Sequence, residues 1–376
     1  MTDPKTSEHS PRKGGNPYGL STLLRPANLP RLAVIGAVLL ALLGAFAATA
    51  GWFSPQRLTP EKIVDRFEAY NGVHSGFRRN HAKGVCVSGV FEASGDGAAF
   101  SRASLFKPDT RVPVFGRFAL AGGNPFISDS PSAVRSLALN FTLPHGEVWR
   151  TGMNDIPVFP VKNAQGFYEL MAASHPDPAT GKPDPEQMQA FLQTHPETAT
   201  AMKLIKARAM SAGFADATYN ALNAFQFVAA DGTRTPVRWS VRPIDPPEPS
   251  AVQESGENYL FDTVAEELEA GPLRWLLVAT VGEPGDPTKD PTIPWPNDRQ
   301  SVTLGTLTLT GVEDEEHGPC RDINFDPLVL PDGIAPSDDP ILSARSAAYA
   351  VSFRKREGEK KEPSAVQLAG SGRDEQ

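Results

Sequence analysis

Three short segments hold the residues able to do chemistry. His81 sits in Arg78-Arg79-Asn80-His81-Ala82-Lys83-Gly84, immediately before an apolar run, so its imidazole can enter an enclosed space from the end of a strand. An imidazole titrates near neutrality and can take up and return one proton. Asn154 lies in Gly152-Met153-Asn154-Asp155-Ile156-Pro157-Val158-Phe159, which reads as a turn entering a further strand. Arg345 and Tyr349 are four positions apart, a spacing that places both on one helical face and lets a guanidinium donate to a phenolic oxygen. Such an oxygen could serve a metal. Each residue taken alone also has an ordinary structural account: a satisfied or exposed histidine, a turn asparagine, a contact on a helix surface.

The elements that must position these side chains follow from pattern. Thr59-Pro60-Glu61 supplies a cap, a proline and an acid for a helix whose face is marked by Ile63, Phe67 and Tyr70 before Asn71-Gly72. Short β-rich runs follow at 85–91, 112–120, 136–141 and 158–161, separated by turn residues, as in an antiparallel sheet or barrel. Helices are predicted at 186–193 and 197–210, after which strands resume at 224–228, 237–241, 273–281 and 302–310. The last ordered element begins near Asp339-Pro340 and runs past Tyr349, and residues 357–376 read as a disordered, charged tail. The fold class from pattern is therefore α+β.

Residues 32–53 are almost wholly apolar and long enough to span a bilayer. Lys5, Arg12, Lys13, Arg25 and Arg31 outnumber Asp3 and Glu8 ahead of them, so residues 1–31 read as cytoplasmic and the remainder as lying beyond the membrane. Ala48-Thr49-Ala50 resembles a cleavage site, which keeps a cleaved leader open beside an uncleaved single-pass anchor. The formal net charge of −8 argues against nucleic acid as a partner. Cys86 and Cys320 read equally as one disulfide or as two buried thiols.

In combination, the segments resemble the haem catalases and their short relatives, the catalase-related peroxidases. The resemblance covers residues 78–356 and rests on the His81 segment, Pro113-Val114-Phe115-Gly116-Arg117-Phe118, the Asn154 segment, Phe325-Asp326-Pro327, Gly333-Ile334-Ala335-Pro336-Ser337, and Arg345 with Tyr349. It implies a catalase-like antiparallel β-barrel core with surrounding helices, formed by residues 54–356. It also implies haem b as cofactor, with Tyr349 as the iron's axial ligand, Arg345 supporting its phenolate, and His81 with Asn154 as the catalytic pair facing peroxide. Arg78, Arg117 and Arg356 match positions that contact haem propionates, Phe159 matches an aromatic residue beside the distal face, and Asp339 matches an acid near the proximal arginine. The implied activity is reduction of hydrogen peroxide or organic peroxides by an electron donor of unspecified identity. The implied location is the periplasmic side of a bacterial inner membrane, and a homo-oligomer is compatible with the sequence.

The chain departs from the family at several points. Ala119 stands where a hydroxyl-bearing residue usually helps orient the histidine, so His81 is expected to be held differently. Asn80 replaces a β-branched apolar residue, Ala133 a channel acid, and Phe353 a histidine. A polar residue beside the histidine also fits a fatty-acid hydroperoxide isomerase of the allene oxide synthase type. A membrane-anchored, non-enzymatic haem-binding module is the remaining alternative. The short C-terminal end suggests a minimal core open to larger reductants.

Overall fold

The structure, a computed structural model, describes residues 26–49, 57–246 and 256–368. Most of the expected cytoplasmic segment, Ala50 of the cleavage-like triplet and the last eight residues lie outside them. The chain divides into two compact units, Met1–Leu58 and Thr59–Gln376.

In the first unit, α1 (Leu29–Thr49) is, among the described residues, the one helix long and apolar enough to cross a membrane. Its 21 residues would extend about 30 Å at the usual helical rise.

Among its described residues, the second unit has ten strands: β1 (Gly84–Ala93), β2 (Arg111–Leu120), β3 (Arg135–Thr142), β4 (Val148–Asn154), β5 (Tyr219–Asn220), β6 (Phe225–Val228), β7 (Arg234–Ile244), β8 (Leu273–Val281), β9 (Ser301–Glu313) and β10 (Ile334–Pro336). Eight of them close a ring in the order β1-β2-β3-β4-β5-β7-β8-β9, and every neighbouring pair is antiparallel. Closure leaves no free edge in the ring. β6 and β10 extend the sheet from the first half of β7.

Strand periodicity separates core from site. Along β2, Phe118 and Leu120 are buried in the main core, and so are Leu137, Leu139 and Phe141 of β3 and Trp149 and Met153 of β4. Successive strand residues point to opposite faces, so Arg117, Ala119, Ser136, Ala138, Gly152 and Asn154 share the other face. The core face is aromatic: Trp149 stacks on Phe141 at 4.8 Å and meets Trp239 edge-on at 5.1 Å.

Helices cover the ring. α2 (Pro60–Asn71) is capped by Thr59, whose Oγ accepts from Lys62 N, with Pro60 in the first turn. The insertion between β4 and β5 carries α3 (Ala164–Ala173), α4 (Pro185–Thr194) and α5 (Pro196–Lys206); α6 (Tyr259–Ala270) and α7 (Pro340–Glu357) follow. The expected strand at 158–161 is not formed. Pro157 and Pro160 remove two ladder donors there, although Val158 and Val161 are buried. Asn154 is the last residue of β4 rather than part of a turn.

The expected disordered tail is corrected as far as Leu368. Residues 358–368 lie against the barrel: Val366 and Leu368 join its core, Glu359 pairs with Arg79, and Lys361 pairs with Asp322. A charged composition signals disorder only when the charges lack folded partners.

Cys86 of β1 and Cys320, in the 3₁₀ turn Pro319–Asp322, form a disulfide across 234 positions. Gly318 lies against it: a Cβ there would stand 2.5 Å from Cys86 Cβ, so only glycine fits. Closing so long a loop restricts the unfolded chain, and Cys86→Ala/Cys320→Ala is expected to lose about 5 kcal/mol of stability. Urea unfolding of parent and variant, with and without reductant, checks this; an unchanged midpoint in reductant contradicts it.

Candidate active site

The site lies on the outer face of β2–β4, beneath α2 and α7. The cavity there has an empty volume of about 1300 Å³, including its mouth. Apolar side chains dominate its lining, among them Ile63 and Phe67 from α2, Phe159, Phe167 and Ile341. Phe159 meets Phe167 at 5.7 Å.

His81 enters from the loop before β1 with φ of 53°, a left-handed conformation rare for a non-glycine residue. The loop is held there by hydrogen bonds. Asn80 Oδ1 accepts from the backbone N of His81 and of Gly122, both at 3.0 Å, and Arg117 Nη1 donates to His81 O at 2.7 Å. His81 Nδ1 lies 2.9 Å from Ser136 Oγ, which donates to Asn154 Oδ1 at 2.5 Å. Ser136 faces Ala119 across one ladder and Asn154 across the other. The missing hydroxyl at Ala119 is therefore supplied from the neighbouring strand.

Burial pushes the His81 imidazole down to about 3, helped by the charges of Arg117, Arg345 and Arg78. The ring is neutral at ordinary pH and available as a base. Its ordinary value is 6.5, so as pH falls from there toward about 3 the unfolded chain gains a proton that the folded chain does not. That stability contribution is complete above 6.5 and declines through the window. His81→Asn is expected to flatten the loss of melting temperature between neutral and acidic pH; an unaltered slope contradicts this.

Tyr349 and Arg345 reach the cavity from α7, whose first turn is capped by Asp339 Oδ1 accepting from Ile341 N at 2.8 Å. Arg345 Nη2 donates to Tyr349 Oη at 3.4 Å and to Gly152 O at 3.1 Å, while Nη1 donates to Asn223 Oδ1 at 2.5 Å. Asn223 is buried and passes the connection on, its Nδ2 donating to Asp339 Oδ2 at 2.7 Å. Asp339 thus reaches Arg345 through an amide. Burial raises the Asp339 carboxyl above its ordinary range, and the Asn223 hydrogen bond offsets this only in part.

At the third corner, Arg78, Arg117 and Arg356 gather around Glu315. Arg117 Nε and Nη2 clasp its carboxylate at 2.8 and 2.9 Å, and Arg78 Nη1 donates to it at 2.7 Å. Arg78 Nη2 also donates to Cys320 O, and Arg356 Nη1 to Arg321 O, so the disulfide-held turn fixes two of the three arginines. The Arg356 guanidinium also lies over the Phe353 ring at 4.6 Å. Burial raises the Glu315 carboxyl, but the Arg117 and Arg78 charges outweigh it and hold the group below the usual carboxylate range. Burial and the Arg117 charge strongly disfavour the Arg78 cation, with only partial relief from Glu315. Among the described residues, Glu315 is the carboxylate that Arg78 and Arg117 grip, while Glu357 and Asp322 also act on the Arg356 charge, so the corner is rich in guanidinium.

The donor set suits the expected cofactor. A flat apolar body with two carboxylates matches an apolar cavity with an arginine-rich corner, and the Tyr349 phenol oxygen is of the type that could ligate ferric iron. Haem fits these residues.

All eight sequence-derived site residues, His81, Asn154, Arg78, Arg117, Phe159, Arg345, Tyr349 and Arg356, line this one cavity. Ser136, Glu315 and Asn223 were not legible beforehand. Ser136 and Asn223 sit in segments without a motif, and Glu315 lies in the acidic run Glu313-Asp314-Glu315-Glu316, which reads as a solvated loop.

The catalase family model matches residues 47–366. A catalase-related peroxidase of Synechococcus elongatus is 39% identical over 86% of this chain and 96% of its own, and one of Mycolicibacterium paratuberculosis is 34% identical over 80% and 96%. Among solved structures, a bacterial catalase superposes with TM-score 0.65 at 21% identity, and a fungal catalase with TM-score 0.66 at 19%. These matches cover 81% and 79% of this chain, which spans 63% and 62% of theirs. With a barrel of that architecture and a family match over most of its length, the chain belongs to the catalase family.

Proposed function

We propose that the protein is a haem b peroxidase that reduces hydrogen peroxide or small organic peroxides with an organic electron donor. The observation that carries this reading is the neutral His81, linked through Ser136 to Asn154, in the same cavity as Tyr349. When bound, haem supplies the redox centre that delivers the two electrons needed to break the peroxide bond.

The protein's residues hold that group and move the proton. Tyr349 Oη would hold the iron, and Arg345 would support its negative charge through Nη2. Arg78, Arg117 and Arg356 would take the two propionates. His81 Nε2 would accept the proton from one peroxide oxygen and return it to the other, so that water or an alcohol departs instead of an anion. The low basicity of His81 favours returning it. Asn154 would orient peroxide by donating to it.

The catalase-related peroxidases matched over 96% of their own lengths support peroxidase over efficient oxygen evolution. Asn80, which motivated the isomerase alternative, uses its oxygen on two backbone N–H groups that shape the His81 loop. For location, α1 would anchor the chain in a bacterial inner membrane with the catalytic unit in the periplasm. The cationic N-terminal residues and the Cys86–Cys320 disulfide support that side.

Full-length protein in detergent, supplemented with haem, is the test. The expected result is a haem absorption band and donor oxidation faster than oxygen evolution. A colourless protein overturns the reading, and rapid oxygen evolution without donor oxidation overturns the peroxidase assignment.

A further inference from the structure

We propose that the Ser136 hydroxyl is a positioning group that sets both the tautomer of His81 and the orientation of the Asn154 amide. The argument is a count of hydrogens. A serine hydroxyl has one proton to donate and lone pairs to accept with. Ser136 Oγ stands 2.5 Å from Asn154 Oδ1, an acceptor only, so the proton is committed there. Toward His81 Nδ1, 2.9 Å away, the oxygen can then only accept. His81 therefore carries its hydrogen on Nδ1, and the Nε2 lone pair is left for the cavity.

The same bond orients the amide. With Oδ1 held by Ser136, the Nδ2H₂ end of Asn154 is left for the cavity that Asn154 lines. Base and donor are thus set together by one hydroxyl. The opposite polarity, with Asn154 Nδ2 donating to Ser136 and Ser136 donating to His81, would put the hydrogen on Nε2. Neither group could then serve: Nε2 would have no lone pair, and Asn154 would present an acceptor to peroxide.

The ladder explains why this position can do both jobs. β3 lies between β2 and β4, and Ser136 is in register with Ala119 on one side and Asn154 on the other. Its side chain stands on the cavity face at the end of the His81 loop. The backbone hydrogen bonds of His81 to Asn80 Oδ1 and from Arg117 hold the residue in place, but do not decide which ring nitrogen bears hydrogen. The neutral state of the ring makes that choice consequential, because a neutral imidazole has one N–H.

The consequence for turnover rests on the peroxide-cleaving reading above; the proton placement does not. Full-length protein labelled with ¹⁵N-histidine, before haem loading, reports the tautomer in a long-range ¹H–¹⁵N spectrum, with His81 assigned by its loss in His81→Gln. The wild type is expected to show Nδ1–H, and Ser136→Ala a mixture of tautomers. After haem loading, Ser136→Ala is expected to keep the haem spectrum and the KM for donor while peroxide cleavage falls about 100-fold. An Nε2–H signature in the wild type, or a Ser136→Ala protein with wild-type tautomer and rate, overturns the proposal. A wild type that shows Nδ1–H yet cleaves no peroxide overturns the functional reading and leaves the proton placement standing.

Discussion

Tyr349→Phe is expected to yield a folded protein that retains little or no haem. The substitution removes one oxygen, and that oxygen has one hydrogen bond to Arg345 at 3.4 Å. Folding stability should change by less than about 1 kcal/mol, since the ring remains and no buried partner is orphaned. Arg345 keeps Asn223 and Gly152 O as acceptors. Haem, by contrast, would lose the proposed ligand of its iron. Altering an outer partner of a metal ligand already costs about 10- to 100-fold in affinity, so deleting the ligand should cost at least about 100-fold. Haem titration followed by absorption, with thermal unfolding in parallel, separates the two quantities. A variant that binds haem as tightly as the parent, with an unchanged spectrum, would remove Tyr349 from the proposed role.

His81→Ala is expected to do the reverse, keeping haem while slowing peroxide cleavage by about 10² to 10⁴-fold. The cofactor's proposed contacts come from Tyr349 and the three arginines, none of which depends on the imidazole. One backbone consideration governs the design. His81 has φ of 53°, where alanine is strained by about 1 kcal/mol, whereas asparagine tolerates the left-handed region better. His81→Asn therefore serves as companion. If both retain haem and both lose turnover, the deficit lies in proton transfer and not in a collapsed loop. Single-turnover mixing with peroxide reads this step directly, and parental rates in both variants would exclude His81 as the base.

Much of the architecture was legible because it depends on local patterns. Thr59-Pro60 announced α2, the β-rich runs announced most strands of the ring, and the Asp339-Pro340 start of α7 was readable from its cap. Closure of the barrel and the eight site positions came from the family resemblance, since His81 and Tyr349 were unpersuasive alone. What stayed hidden depends on register and long-range pairing. Ser136 matters because β3 places it opposite Ala119, and no spacing rule applied to one strand reveals what faces it on the next. Glu315 carries no local signal, because its partners Arg78 and Arg117 lie more than 190 positions away. The segment 358–368 was misread for the same reason, its charges finding partners such as Arg79 and Asp322.

The alternation of faces along β2, β3 and β4 carries a consequence for mutational tolerance. Positions 117, 119, 136, 138, 152 and 154 look onto the cavity, and positions 118, 120, 137, 139 and 153 are packed in the core. A saturation library scored separately for cellular abundance and for turnover should therefore give two interleaved stripes, half a period out of phase. Polar replacements at the packed positions deplete the protein, whereas those at the cavity positions other than 117, whose arginine holds the buried Glu315, leave it abundant and idle. In these three strands, neighbouring codons are thus under different selection, and a one-residue insertion would exchange the two sets at a stroke.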